Sequence, residues 1–100
     1  MKLVKLNKNH ILFRNDACVY AWQFDNYNDQ ARRLVNFMEN KYGDRYGKGM
    51  RHWAATFGSP KLQMMQGMVM SYKARHKIYW VGIKDAKELP FLLLQINDLA

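Results

Sequence analysis

Residues 27–42 carry apolar side chains at a spacing that places them on one face of an α-helix. The positions i, i+4, i+7, i+8, i+11 and i+15 are occupied by Tyr27, Ala31, Leu34, Val35, Met38 and Tyr42. A helix with one apolar stripe must bury that stripe against another layer of structure. Asn26 or Asn28 can cap its start, and Gly43 follows where helices commonly end. We therefore predict a central amphipathic helix over about 27–42, packed on a second layer.

The segment before this helix predicts that second layer. Residues 2–6 alternate in polarity, and residues 10–14 and 17–24 are rich in β-branched and aromatic side chains. Asn15-Asp16 can form the tight turn between the last two segments. We predict an antiparallel three-strand meander over residues 2–24. The large side chains expected to face its core are Cys18, Tyr20, Trp22 and Phe24.

A glycine-rich loop at 43–50 separates this half of the chain from further elements. The predicted elements are a strand or helical turn at 51–57, a helix at 61–67 capped by Ser59, strands at 68–73 and 77–83 around a basic turn, and a helix at about 89–98 with Pro90 in its first turn. We expect one small α+β domain over residues 1–100. Its antiparallel sheet comprises the meander and the later hairpin, and the two amphipathic helices pack on it.

Net charge is concentrated in the middle of the chain. The chain carries a formal net charge of +8. Nine Lys and Arg side chains and a single acid, Asp44, lie in residues 41–84, so this block equals the whole net charge. A field of that sign favours polyanions such as nucleic acid or an acidic protein surface. A net charge that only aids solubility is the alternative interpretation.

Cys18 is the only cysteine, so no intrachain disulfide can form, which favours a reducing compartment. The start of the chain has no apolar run of signal-peptide length. The apolar stretch at 91–94 is far shorter than a membrane span. We expect a soluble cytoplasmic protein without a membrane partner. Within a core strand, Cys18 is expected to be buried and unreactive.

The glycine-rich loop resembles a phosphate-binding P-loop in composition, but its spacing differs. The G-x-x-x-x-G-K-[ST] pattern is not met, because Gly43 and Gly47 are too close and Gly49 follows Lys48. Backbone amides and cations in such a loop can still bind phosphate without catalysis, and a plain surface loop is the alternative.

Asp25 and Asp29 form the only close carboxylate pair, and the turn explains them. We therefore expect no enzyme.

Metal and cofactor sites are not predicted. The three histidines, His10, His52 and His76, are scattered and have no cysteine pair beside them. Thioethers suit Cu(I), but methionines also form adaptable cores and contact surfaces. The methionines concerned are Met50, Met64, Met65, Met68 and Met70.

Basic residues alternate with aromatic ones inside the basic block. The clusters are Lys41-Tyr42, Arg45-Tyr46, Arg51-His52-Trp53 and Tyr72-Lys73. Single-stranded nucleic acid binds such surfaces because its phosphates contact cations and its bases stack on rings. Neither an RRM strand motif nor a helix-turn-helix is present. The residues predicted to contact nucleic acid or a protein partner are Lys41, Arg45, Tyr46, Lys48, Arg51, Trp53, Lys73, Arg75 and Lys77. The alternative places Trp53 and Tyr72 in the core, with lysine stems over them.

Two functions remain open from the sequence. The first is a small, basic, non-enzymatic module that binds nucleic acid, single-stranded or through its backbone, with the block 41–84. The second is a protein-binding modulator or inhibitor that docks a basic face on an acidic surface of a larger partner. Small size and the use of Lys, Asn, Tyr and Met resemble bacteriophage accessory proteins in style. A homodimer is compatible with either function.

Overall fold

A four-stranded antiparallel sheet forms the centre of the computed structural model, which describes residues 1–58 and 78–97. The strands are β1 (Lys2–Lys5), β2 (Tyr20–Phe24), β3 (Trp53–Phe57) and β4 (Tyr79–Ile83). Their order across the sheet is β1-β2-β4-β3, and each neighbouring pair is antiparallel. Helices cover this sheet, which confirms the predicted α+β class.

The central helix, α2 (Asp29–Tyr42), matches the predicted apolar stripe. Asn28 caps its start, because the Asn28 side chain accepts a hydrogen bond of 2.9 Å from the Ala31 amide. Gly43 ends it with a φ of 108°, a conformation that side chains rarely adopt. Leu34 and Met38 are almost fully buried against the sheet. The stripe therefore packs as its spacing predicts.

Tyr27 departs from the stripe because it precedes the cap. Helix α2 begins two residues later than the apolar spacing suggests. The Tyr27 side chain is 43% exposed. Its ring meets that of Tyr79 edge-on, with centroids 4.9 Å apart, at the margin of the sheet. The expectation that Tyr27 is buried was therefore wrong.

Helix α3 (Leu89–Ile96) packs on the same face of the sheet as α2. Pro90 lies in its first turn, as predicted, where a missing amide hydrogen breaks no helical bond. Leu92 and Ile96 are buried and join the main core. Within residues 1–58 and 78–97, the buried members of that core are Trp22, Phe24, Ala31, Leu34, Val35, Met38, Trp53, Tyr79, Val81, Ile83, Leu92 and Ile96.

The prediction of a three-strand meander was wrong, because a helix takes the place of its middle strand. Residues 10–14 are not a strand, because Ile11–Asp16 form the short helix α1. His10 caps this helix with its Nδ1, which accepts a hydrogen bond of 3.1 Å from the Leu12 amide. Ala17, at a φ of 56°, ends the helix in the left-handed conformation. Strands β1 and β2 therefore pair directly with each other.

Helix α1 covers the opposite face of the sheet from α2 and α3. A second buried cluster forms there, consisting of Leu6, Leu12, Cys18, Ala21 and Trp80. Cys18 lies just before β2 and belongs to this cluster, not to the face of Trp22 and Phe24 as the alternation predicts. Both faces of the sheet are thus covered, which explains why β4 is buried along its whole length.

Strand β3 resolves the open choice at 51–57, and β4 matches the predicted strand at 77–83. β4 pairs with β2 on one side and with β3 on the other. The predicted helix at 61–67, the strand at 68–73 and the turn at 74–76 lie outside the described residues.

Candidate nucleic-acid interface

The loop between α2 and β3 positions most of the predicted basic side chains that the structure describes. It folds back on itself, because the amides of Gly47 and Gly49 both donate to the Asp44 carbonyl, at 2.9 and 2.8 Å. The loop closes with a 3-10 helix, Lys48–Arg51. A Cβ at Gly49 would lie 2.5 Å from the Asp44 carbonyl oxygen and equally close to the Trp53 Nε1. Only glycine fits there, so this residue fixes the position of Lys48 and Arg51.

Trp53 anchors the loop from below and has no accessible ring. Its side chain is fully buried in the main core. Its indole N–H donates a hydrogen bond of 3.0 Å to the Gly43 carbonyl. A ring in this position cannot stack on a base. The inclusion of Trp53 among the contact residues was therefore wrong, and the core alternative weighed for it is correct.

A stacked pair of rings forms the centre of the candidate interface. The rings of Tyr42 and His52 lie 4.7 Å apart between centroids and 16° from parallel. An open cavity of about 530 Å³ adjoins them, and its lining also includes Lys48 and Arg51. Both cationic side chains are exposed. The Lys41 ammonium lies 5.6 Å from the centroid of the Tyr42 ring, a cation–π distance.

Acidic side chains also lie near this pair of rings. Burial and the nearby carboxylates of Glu88 and Asp85 raise the pKa of Tyr42 to about 12. The hydroxyl therefore stays protonated at neutral pH and adds no charge. The basic cavity consequently has an acidic border on the side of the 3-10 helix that precedes α3, Ala86–Glu88.

A second cation–π contact lies on the loop that follows α2. The Arg45 guanidinium carbon is 4.7 Å from the centroid of the Tyr46 ring. Arg45 also donates a hydrogen bond of 3.2 Å to the Tyr79 hydroxyl, which fixes its direction. Burial raises the pKa of Tyr79, and the Arg45 charge opposes that shift. Tyr46 itself is 75% exposed, so its ring remains accessible to a ligand.

The predicted contact residues thus have three different outcomes. Lys41, Lys48 and Arg51 surround the stacked rings, and Arg45 with Tyr46 forms the neighbouring pair. Trp53 belongs to the core. The remaining three, Lys73, Arg75 and Lys77, lie outside the described residues.

Three residues of the interface are absent from the predicted contact residues. Tyr42 and His52 lie in the predicted basic–aromatic clusters, but neither was expected to contact a ligand. Their stacking depends on the return of the chain from α2 to β3, which no local pattern specifies. The close approach that requires Gly49 has the same origin. The run of glycines was the only signal of such a close approach.

In residues 1–58 and 78–97, no group of three or more His, Cys, Asp or Glu side chains is placed to hold a metal ion. Cys18 lies on the far face of the sheet, and burial raises its pKa to about 12. A thiol with that pKa is protonated at neutral pH and is a poor nucleophile.

No family model, curated protein or solved structure matches this chain significantly. Within the described part of the chain, none of the helices has the length and apolar character needed to cross a membrane.

Proposed function

We propose that this protein is a small, non-enzymatic module that binds the sugar-phosphate backbone of nucleic acid, with a preference for single strands. The observation that carries the proposal is the arrangement at the end of α2. Lys48 and Arg51 share one open cavity with the stacked rings of Tyr42 and His52. Phosphates bound by these cations would lie beside the exposed His52 ring, and a base can stack on the face of that ring that points away from Tyr42.

The pair of Arg45 and Tyr46 extends this surface along the loop. Tyr46 is the most exposed of the large apolar side chains among the described residues. Base stacking on such a ring is worth about 1–3 kcal/mol per base. The cations supply affinity without sequence preference, because phosphate contacts carry no base information. The proposal places the protein in the cytoplasm. Its buried free thiol, Cys18, is compatible with that reducing environment.

The test is a titration with fluorescent single- and double-stranded oligonucleotides at several salt concentrations. Counterion release predicts that the logarithm of the affinity falls with the logarithm of salt, by about 0.7 per phosphate neutralised on a single strand. The double substitution Lys48→Glu and Arg51→Glu reverses both charges. It should weaken binding to all sequences alike and flatten the dependence of affinity on salt.

The matched control reverses two charges at the opposite edge of the sheet. Lys2 and Lys5 are exposed on β1, which is separated from β3 by two strands. The pair Lys2→Glu and Lys5→Glu changes the net charge equally but lies roughly 14 Å away or more across the sheet. Equal loss of affinity in both double variants would mean that net charge alone drives binding.

Absence of saturable binding below about 100 µM at physiological ionic strength would contradict the proposal. A basic surface also attracts acidic proteins, so salt dependence alone does not separate the two partner classes. In the event of no oligonucleotide binding, the protein-modulator alternative takes its place.

A further inference from the structure

The two edges of the sheet differ in how they are protected against pairing with another chain. At one edge, β1 has the sequence KLVK and exposes Lys2 and Lys5. Lysines on an edge strand are a common means of preventing edge-to-edge pairing. At the other edge, β3 has the sequence WAATF and carries no charge. Among the described strands, β3 is therefore the edge strand that lacks this protection.

The backbone groups that face outward from β3 follow from its register with β4. Trp53 pairs with Ile83, and Phe57 pairs with Tyr79. The Lys84 amide donates to the His52 carbonyl, and the Gly58 amide to the Ile78 carbonyl. Because hydrogen-bonded pairs alternate in an antiparallel ladder, the even-numbered residues of this strand bond to β4. The odd-numbered residues point their amides and carbonyls away from β4.

Ala55 is the outward-facing residue that remains accessible. Trp53 is fully buried, and Phe57 already has other contacts, whereas Ala55 is only partly buried. Among the described residues, no strand lies on this side of β3. An added antiparallel strand would form one hydrogen-bonded residue pair with Ala55, through the Ala55 N–H and C=O.

A groove follows this edge of the strand. Its volume is about 230 Å³, and Ala54, Ala55 and Thr56 of β3 contribute to its lining. Ile11 and Asp16 of α1 line it on one side. On the other side the loop after α2 contributes Arg45, Tyr46 and Met50. Tyr46 and Met50 are exposed, and both side-chain types adapt well to protein partners.

We propose that the β3 edge binds an extended, acidic segment of a partner protein by strand addition. Backbone pairing at Ala55 would supply affinity, and side-chain contacts in the groove would supply specificity. The groove lining contains two cations, Arg45 and Lys84, and one acid, Asp16. A segment with acidic side chains complements this excess and the formal net charge of +8. The same net charge disfavours pairing with a second copy of this chain.

The probe is a short fluorescent peptide of alternating valine and glutamate. Two control peptides have the same length, one with lysine in place of glutamate and one with a central proline. The acidic peptide should bind saturably, and both controls should bind at least about tenfold more weakly, which corresponds to roughly one lost hydrogen bond or ion pair. Hydrogen exchange measured by NMR should show that the peptide slows exchange of the Ala55 amide.

Two variants test the backbone and the charge separately. Ala55→Pro removes an amide hydrogen that points away from β4, so the sheet can remain intact while strand addition is blocked. Ala55→Ser keeps that hydrogen and is the matched control. Lys84→Gln should weaken the acidic peptide, and the control Arg33→Gln, on the exposed side of α2, should not. Circular dichroism checks that each variant is folded. The hydrogen-exchange measurement at Ala55 uses the unmodified chain, so it tests the proposal even if a variant does not fold.

Several results would overturn this proposal. These are no saturable binding of the acidic peptide, equal binding of the lysine peptide, and unchanged exchange at Ala55 in the complex. Protection of Ala55 that rises with protein concentration in the absence of peptide would instead identify a second copy as the occupant. Protection of Ala55 by an oligonucleotide that also displaces the peptide would assign the groove to nucleic acid. The peptide result is independent of Lys48 and Arg51, so its failure is distinguishable from failure of the proposed nucleic-acid function.

Discussion

The indole N–H of Trp53 donates a hydrogen bond of 3.0 Å to the carbonyl oxygen of Gly43, and this contact ties the first residue of β3 to the end of α2. The Trp53 side chain is fully buried, and the bond lies partly buried next to the loop that carries Lys48 and Arg51. Gly49 lies directly against the same indole nitrogen. The candidate interface therefore depends on a side chain that no ligand can reach.

Substitution of Gly49 tests this dependence. Gly49→Ala places a Cβ 2.5 Å from both the Asp44 carbonyl oxygen and the Trp53 Nε1, so the loop must shift. We expect a loss of about 1–3 kcal/mol in the free energy of unfolding, measured by urea denaturation. Oligonucleotide affinity should fall as well, because Lys48 and Arg51 move with the loop.

Gly47→Ala is the matched control, since a Cβ at Gly47 would meet only the Asp44 carbonyl oxygen, at 3.9 Å. That is an ordinary contact distance, so stability and affinity should stay close to those of the parent chain. Equal effects of the two substitutions would show that loop flexibility, rather than the close approach at Gly49, is what matters.

Gly82 on β4 makes a similar close approach on the other face of the sheet. A Cβ at Gly82 would lie 2.9 Å from the Cys18 Sγ and 3.1 Å from the Leu12 Cδ1. Gly82→Ala should therefore lower the free energy of unfolding by about 1–3 kcal/mol. In a Cys18→Ala background, where the sulfur is gone, the same substitution should cost less. A double-mutant cycle measures this coupling, and strictly additive effects would contradict the contact.

The Cys18 thiol should be unreactive in the folded protein. It is fully buried, and burial raises its pKa to about 12. Only a very small fraction is thiolate at neutral pH, so labelling by a maleimide or disulfide reagent should be slow in the native state. The same reagent should react rapidly once the chain is unfolded in denaturant. Rapid labelling of the native protein, together with lost activity in Cys18→Ala, would instead support a catalytic thiol.

The sequence predicted elements best where a single local pattern decided them. The stripe from Ala31 to Met38 needed only its spacing and two caps. The helix α1 was missed because its N-cap is a histidine, which is uncommon at that position, and because Ile11 and Phe13 suit a strand. Burial of Leu12 against the second face of the sheet outweighs that propensity.

The candidate site was predictable in its charges but not in its geometry. The concentration of basic residues in the block 41–84 is enough to identify Lys41, Arg45, Lys48 and Arg51. The stacking of Tyr42 on His52 requires two residues from different elements to meet, and the burial of Trp53 depends on which face of β3 meets α2. Neither fact is encoded in a short segment, because both depend on how the sheet orders its strands.

Leu34 provides a direct measure of the packing between α2 and the sheet. Its side chain is 1% exposed within the main core. Leu34→Ala should reduce the free energy of unfolding by about 2–5 kcal/mol, through lost burial and the cavity that remains. Arg33→Ala, at the exposed neighbouring position, serves as the control and should change stability little. An unchanged urea midpoint for Leu34→Ala would contradict the placement of the stripe.

The stability of the protein should decrease as the pH falls below about 6.5 because of His10. Its Nδ1 accepts the capping hydrogen bond from the Leu12 amide, so this nitrogen must be unprotonated in the folded state. Burial, aided by the nearby Arg14 charge, lowers the pKa of His10 from its ordinary value of 6.5. The unfolded chain therefore takes up a proton at a higher pH than the folded chain does. The stabilisation is fully present above pH 6.5 and is lost as the pH falls through the lowered pKa of the folded state. His10→Asn can cap the helix without titrating, so its unfolding free energy should depend less on pH over this range. Urea unfolding of both proteins at about pH 5 and about pH 7.5 makes the comparison, and parallel pH profiles would exclude His10 as the titrating group.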